Sequence, residues 1–226
     1  MKPKRSSWHD RVRDPALTVM LIVLCLIIFI AAPFAVTDYQ GSRLATELLF
    51  CIFALLVVII SRGRIVTLIA TLSMIASLVG ISLTLASFSN STRLLAHIGN
   101  ISGTVVVAYV VGRAVFGPGA ITAHRVLGAI VLYLDFGIMC SSGYRLIWDL
   151  IPNSLTGVPE GATSWQAAGS ILYFSFTALT TIGFGDIVPV HPAARALTNL
   201  EGIFGQLYPA TLLARLITLE LEDRRR

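Results

Sequence analysis

Apolar residues occur in long runs that short polar links separate along almost the whole chain. An apolar run of about 20 residues is long enough to cross a bilayer as a helix. A shorter apolar helix is expected just before residue 180, and Thr163 and Gln166 at its start have the spacing of a capping box. The pattern therefore predicts an all-α membrane protein with one short helix between its last two spans. The six predicted spans are residues 17–36, 44–61, 65–87, 94–115, 125–150 and 192–221.

Breaks in this pattern divide the chain into four parts. Residues 1–16 are polar and basic, and residues 17–119 form a predicted four-helix membrane domain that ends at a Gly-Pro-Gly breaker. Residues 120–222 hold an outer helix, the short helix, a glycine-rich loop and an inner helix, and residues 223–226 are a charged tail. A signal peptide is the alternative for the first apolar run. That run is too long and lacks a small-residue cleavage site, so we interpret it as a retained span.

The composition fits a membrane protein and excludes several other classes. The chain is 55% hydrophobic and 13% charged, against about 25% charged in soluble domains. The net charge of +5 comes with no basic helical stripe, so nucleic-acid binding is not expected. The cysteines lie in apolar runs and the histidines are scattered, which predicts no metal cluster, no cofactor and no enzyme site.

The basic residues predict the orientation of the spans. With six spans both termini lie on one side, and that side then holds all but four of the 17 basic residues. Arg43, Arg93, Arg145 and Arg195 lie on the other side. Because cytoplasmic loops are enriched in Lys and Arg, we expect a multi-pass protein of a plasma or inner membrane with both termini in the cytoplasm.

The segment Thr180-Thr181-Ile182-Gly183-Phe184-Gly185-Asp186, called here the TTIGFGD segment, has an unusual composition for a membrane protein. Glycine adopts positive φ without a Cβ clash. A strand with alternating backbone handedness turns successive carbonyls to the same side, and four copies would stack rings of oxygens from residues 181–184. Such rings replace the water shell of a monovalent cation. The alternative is a simple glycine-rich turn between two helices.

This segment, between two apolar helices, resembles the selectivity filter of potassium channels. The resemblance covers about residues 163–219 and implies a two-helix pore domain, with Thr181, Ile182, Gly183 and Phe184 as potassium ligands. One copy per chain implies a homotetramer surrounded by membrane lipid. In the family an aromatic residue of the short helix holds the final carboxylate, so we expect Tyr173 to hydrogen bond with Asp186.

Further residues are expected to support or gate this pore. Thr180 and Gly185 flank the ligands, and Phe184 stands where tyrosine is commoner, so we expect a filter that is held less firmly. Gly205 matches the hinge glycine of the family's inner helices, and Pro209 removes a helical hydrogen bond four residues later. We expect a hinge there, with a static kink as the alternative. Glu201 lies at membrane depth, either supporting the filter or bonding a neighbouring helix.

The expected function is passive, potassium-selective conduction. A voltage sensor needs regularly spaced arginines, and the fourth span has only Arg113 near its inner end, so steep voltage gating is not expected. The alternatives are a non-selective cation channel and a membrane subunit of a potassium transport or sensing system that needs a partner. An integral-membrane enzyme is disfavoured because no catalytic cluster is present in the sequence.

Overall fold

The computed structural model describes residues 8–35, 49, 52–53, 55–61, 66–73, 75, 79, 90–116, 123–159, 161 and 163–224, and most of them are helical. Six α-helices have defined bounds in this part of the chain. They are α1 Trp8–Leu26, α2 Ala32–Ala35, α3 Asn90–Val115, α4 Ala123–Leu150, α5 Ser164–Leu179 and α6 Pro192–Arg224. Two short strands, β1 Leu155–Thr156 and β2 Val188–Pro189, pair antiparallel.

The first helix is longer than the apolar pattern predicts. It begins at Trp8, nine residues before the predicted span, because the polar residues that precede the apolar run also adopt helical geometry. A π-helical stretch, Ile27–Ala31, separates α1 from α2, which contains Pro33. Proline has no N–H to donate and its ring displaces the carbonyl four residues earlier. A shift to the wider π turn accommodates this, so Pro33 disturbs the regular helix.

The middle of the predicted N-terminal bundle lies largely outside the described residues. Residues 52–53, 55–60 and 66–73 are helical and fall within the second and third predicted spans. Glu47, Cys51 and the link at residues 37–43 lie outside the described part, as do residues 80–89, which hold the end of the third predicted span and the start of the link after it. Two helices, Leu94–Val115 and His124–Leu150, are long and apolar enough to cross a membrane, and Ala16–Ala31 is a shorter apolar helix.

The described core has two clusters of buried apolar side chains. The larger one joins α1, α3 and α4 through residues such as Leu17, Leu24, Val111 and Val131. The smaller one lies where α4, α5, the strand pair and the start of α6 meet. Its buried members are Cys140, Tyr144, Leu155, Ile171, Phe174, Ile187 and Ala194. Ile187 of this cluster directly follows the TTIGFGD segment, and Ile171 and Phe174 lie on the helix that precedes it.

Candidate functional site

Helix α5 leads directly into the TTIGFGD segment, and its ends are well defined. Thr163 is the N-cap, and its hydroxyl accepts from the Gln166 backbone N–H while the Gln166 side chain accepts from the Thr163 N–H. This is the capping box predicted from the sequence. At the other end the Thr180 N–H donates to the Phe176 carbonyl at 3.0 Å, and the Thr180 hydroxyl donates to the same oxygen at 2.6 Å. The helix therefore ends in a fixed position one residue before the predicted ligands.

The backbone of the TTIGFGD segment alternates in handedness. Thr181, Gly183 and Gly185 have φ of 59°, 53° and 80°, whereas Ile182 and Phe184 between them are not in the positive-φ region. The two glycines adopt this conformation at little cost, but for Thr181 it is a strained conformation that needs support. The alternation is the one expected from the spacing of the glycines. Positive φ at Thr181 was not predicted, because threonine rarely adopts this conformation.

Contacts with the helices hold the start of the segment. The Thr181 N–H donates to the Ala178 carbonyl at 3.0 Å, and the Gly183 N–H donates to the Thr177 carbonyl at 3.2 Å. The Gln206 amide of α6 donates to the Thr181 hydroxyl at 2.8 Å. These bonds offset part of the strain at Thr181, and they connect the segment to both α5 and α6.

A strand pair and a close backbone approach hold the far end of the segment. β1 pairs with β2 in the register Leu155 to Pro189, and the N–H groups of Val190 and His191 both donate to the Ser154 carbonyl. Gly157, with φ of 88°, lies so close that a Cβ there would be 1.9 Å from the Asp186 carbonyl oxygen. The loop before α5 and the loop after the segment are therefore locked together.

Tyr173 lies beside the last part of the segment, as predicted. Desolvation, then a side-chain hydrogen bond with Asp186 and the charge of that carboxylate, raise the pKa of Tyr173. The Phe184 ring lies parallel to the Tyr173 ring, with centroids 6.4 Å apart and an interplanar angle of 3°. Aromatic contact with α5 is thus kept without a Phe184 hydroxyl.

The four predicted ligand residues are all exposed in the single chain. The Ile182 and Phe184 side chains are 59% and 68% exposed. Helix α6 also exposes a row of apolar side chains, three or four residues apart: Leu200, Ile203 and Leu207. Single apolar side chains on a surface are ordinary, but a contiguous apolar row indicates an interaction surface or lipid contact.

Residues 121–221 match a family model described as an ion channel. The match covers α4, the TTIGFGD segment and most of α6, and it supports ion channel function for this part of the chain. Together with the apolar helices it supports a membrane protein, and an ion channel family is not an enzyme class. No match was found among curated proteins or among solved structures.

Gly205, which lies within the matched residues, is a packing glycine in the structure. A Cβ at Gly205 would lie 1.9 Å from the carbonyl oxygen of Leu179, the last residue of α5. Helix α6 continues without a break through Pro209. The predicted hinge therefore falls where the inner helix touches the base of the TTIGFGD segment. The sequence could not show this approach, because it joins residues that are far apart in the chain.

Glu201 is bound to neighbouring helices, and Arg145 and Asp149, four residues apart on α4, form an ion pair. Glu201 is fully buried and contacts the Tyr144 and Ser175 hydroxyls. Arg145 Nε lies 3.4 Å from Asp149 Oδ2. His97 Nε2 lies 2.7 Å from the same carboxylate oxygen and so joins α3 to α4. The sequence did not predict His97 as a partner, because no local spacing relates the two residues.

Proposed function

We propose that four copies of this chain assemble around the TTIGFGD segment and form a passive, potassium-selective channel. The observation that carries the proposal is the alternation of positive φ at Thr181, Gly183 and Gly185, on an exposed face within the ion channel match. This backbone geometry turns successive carbonyls toward a common side, which is what a stack of oxygen rings around a dehydrated cation requires. The proposed ligands are the carbonyls of residues 181–184 and the Thr181 hydroxyl.

A tetramer is proposed because one chain supplies only one segment. The exposed apolar row on α6 lies on the same helix as Gln206, which contacts the segment. Packing this row against another copy would place the segments of neighbouring chains side by side. A closed ring of four identical subunits would then surround the axis. The proposed orientation, with both termini in the cytoplasm of a plasma or inner membrane, follows from the distribution of basic residues.

Steep voltage gating is not part of the proposal. Helix α3 carries no arginine between Arg93 and Arg113. The Arg113 side chain donates to the Tyr109 hydroxyl one turn away, at 3.1 Å. Moving one charge through the membrane potential yields only about 2.3 kcal/mol per 100 mV, so a steep response needs several charges per subunit.

Reconstitution of the purified protein in liposomes tests the proposal. We expect potassium flux that clearly exceeds sodium flux, and a reversal potential that follows the potassium gradient. Gly183→Ala is the control, because no atom lies within 4 Å of the added Cβ in the single chain and only the φ of 53° is strained. Strain of about 1–3 kcal/mol per subunit should abolish selective flux.

The other outcomes of this assay separate the alternatives. Equal potassium and sodium fluxes would indicate a non-selective cation channel. Flux that appears only after a cytosolic fraction is added would indicate a membrane subunit that needs a partner. Normal selective flux from the Gly183→Ala protein, or an assembly in solution that is not four-fold, would contradict the proposed pore.

A further inference from the structure

The Glu201 side chain is 0% exposed and lies between three helices. Its Oε1 is 2.5 Å from the Ser175 hydroxyl of α5, and its Oε2 is 2.7 Å from the Tyr144 hydroxyl of α4. Glutamate is almost never fully buried unless other groups satisfy it, because removing a carboxylate from water is costly. The contacts of Glu201 therefore decide which form of the carboxyl group this site can hold.

The Ser175 contacts require more hydrogens than the serine has. Its hydroxyl lies 2.7 Å from the Gly137 carbonyl oxygen and 2.5 Å from Glu201 Oε1. A backbone carbonyl only accepts, and a serine hydroxyl carries one hydrogen. If Ser175 donates to Gly137, the hydrogen between Ser175 and Glu201 has to come from the carboxyl group.

The second oxygen of Glu201 has the same shortage of donors. The Tyr144 hydroxyl lies 2.7 Å from Glu201 Oε2 and 3.1 Å from the Thr198 hydroxyl. The Thr198 hydroxyl donates its own hydrogen to the Ala194 carbonyl at 2.9 Å, so it can only accept from Tyr144. Three hydroxyl hydrogens therefore serve five contacts around Glu201. The buried Cys140 thiol of α4 also hydrogen bonds with Glu201, which adds one donor and one contact and leaves the shortage unchanged. A proton on the carboxyl group supplies one of the missing hydrogens.

We propose that Glu201 is a neutral carboxylic acid and a positioning residue that locks the helix carrying the filter to the two flanking helices. In this arrangement Glu201 donates to Ser175, Ser175 donates to the Gly137 carbonyl, and Tyr144 shares its hydrogen between Glu201 and Thr198. One carboxyl group thereby joins α4, α5 and α6. The proposal rests on the proposed potassium-channel function, since positioning matters only if the segment after α5 conducts.

The position of Ser175 near the end of α5 explains why its hydrogen bond with Glu201 affects the proposed filter. Ser175 lies on α5 one turn before Leu179, the last residue of the helix, whose carbonyl meets Gly205 of α6. Loss of the link between Ser175 and Glu201 allows α5 to shift relative to α6, and the TTIGFGD segment shifts with it. A neutral acid also places no fixed negative charge at this position behind the proposed filter.

Three variants separate positioning from simple stability. Glu201→Gln resembles a neutral acid, because its amide donates where the O–H would, so we expect its potassium-to-sodium preference to stay within about twofold of wild type. Glu201→Leu and Ser175→Ala remove the link to α5, and we expect each to lower that preference about tenfold. Tyr144→Phe is the matched control. It removes a contact to α4 and keeps the link between α5 and α6, so its preference should fall less than about threefold.

Infrared spectroscopy tests the protonation of Glu201 without any conduction. The difference spectrum between wild type and Glu201→Gln should contain the C=O stretching band of a protonated carboxylic acid. A carboxylate band in its place, or a Glu201→Gln protein as unselective as Glu201→Leu, would overturn the inference. Unchanged selectivity in Ser175→Ala would do the same. If wild type conducts no potassium, the proposed function fails, and the infrared result still decides whether Glu201 is neutral.

Discussion

The contact between Gly205 and Leu179 gives a direct prediction for Gly205→Ala. The added Cβ would lie 1.9 Å from the Leu179 carbonyl oxygen, 2.9 Å from its carbonyl carbon and 3.3 Å from its Cα. Ordinary contact begins at 3.4 Å, so the oxygen and the new methyl must separate by 3.4 − 1.9 = 1.5 Å. All three atoms belong to the backbone, and no side-chain rotation can relieve the clash.

The cost of this separation follows from packing and from one hydrogen bond. Forcing extra atoms into a packed interior costs about 1–3 kcal/mol. The Leu179 carbonyl also accepts a hydrogen bond from the Tyr133 hydroxyl at 3.3 Å, and losing that bond costs about 1 kcal/mol. We therefore expect Gly205→Ala to lower the free energy of unfolding by about 2–4 kcal/mol. The shift occurs at the base of the proposed filter, so selective flux should be lost as well.

Thermal unfolding and liposome flux of the same preparations would test this prediction. Gly202→Ala is the matched control, since it lies one turn earlier in α6 and its new Cβ meets nothing within 4 Å. There the higher helix propensity of alanine should stabilise the protein by about 0.5–1 kcal/mol. A pure hinge at Gly205 predicts a different result, in which Gly205→Ala folds as stably as wild type and only its opening changes. That result would refute the packing argument.

Three further predictions concern the two ends of the TTIGFGD segment. Gln206→Leu removes the amide that supports Thr181 in its positive-φ conformation, so potassium binding measured by calorimetry should weaken about fivefold; unchanged affinity would refute this support. Tyr173→Phe should lower selectivity in liposome flux. The raised pKa of Tyr173 keeps its hydroxyl protonated, so the selectivity of the wild type should stay constant from about pH 6 to pH 9, and a loss within that range would argue against this role. Gly157→Ala should destabilise the protein, because its Cβ would meet the Asp186 carbonyl, whereas Gly161→Ala has a similar φ and open space and should cost less in thermal unfolding.

Local features of this chain could be predicted from the sequence. The capping box of Thr163 and Gln166 depends on residues three apart, and the ion pair of Arg145 and Asp149 on residues four apart. Both are present because helix geometry alone brings such residues together. The start of α6 at Pro192 could also be predicted from local sequence, because proline favours the first turn of a helix.

The contacts that hold the candidate site could not be predicted in this way. Gln206 meets Thr181 across 25 positions, and His97 meets Asp149 across 52. No periodicity relates such pairs, because their distance depends on how whole helices pack. Glu201 was notable in the sequence because it is an ionisable residue within a predicted span. Its partners could not be predicted, because they lie on α4 and α5 and depend on how these helices pack against α6.

The contacts within one chain explain how the TTIGFGD segment acquires its conformation. Its start is fixed by Leu179 against Gly205 and by Gln206 on Thr181, and its end is fixed by Gly157 against Asp186. Contacts within the chain support the alternating φ values. In the proposed tetramer, the same contacts would hold each segment in the conformation that the carbonyl rings need. It follows that substitutions at these contacts should impair selectivity without preventing assembly, whereas substitutions in the apolar row of α6 should prevent assembly itself.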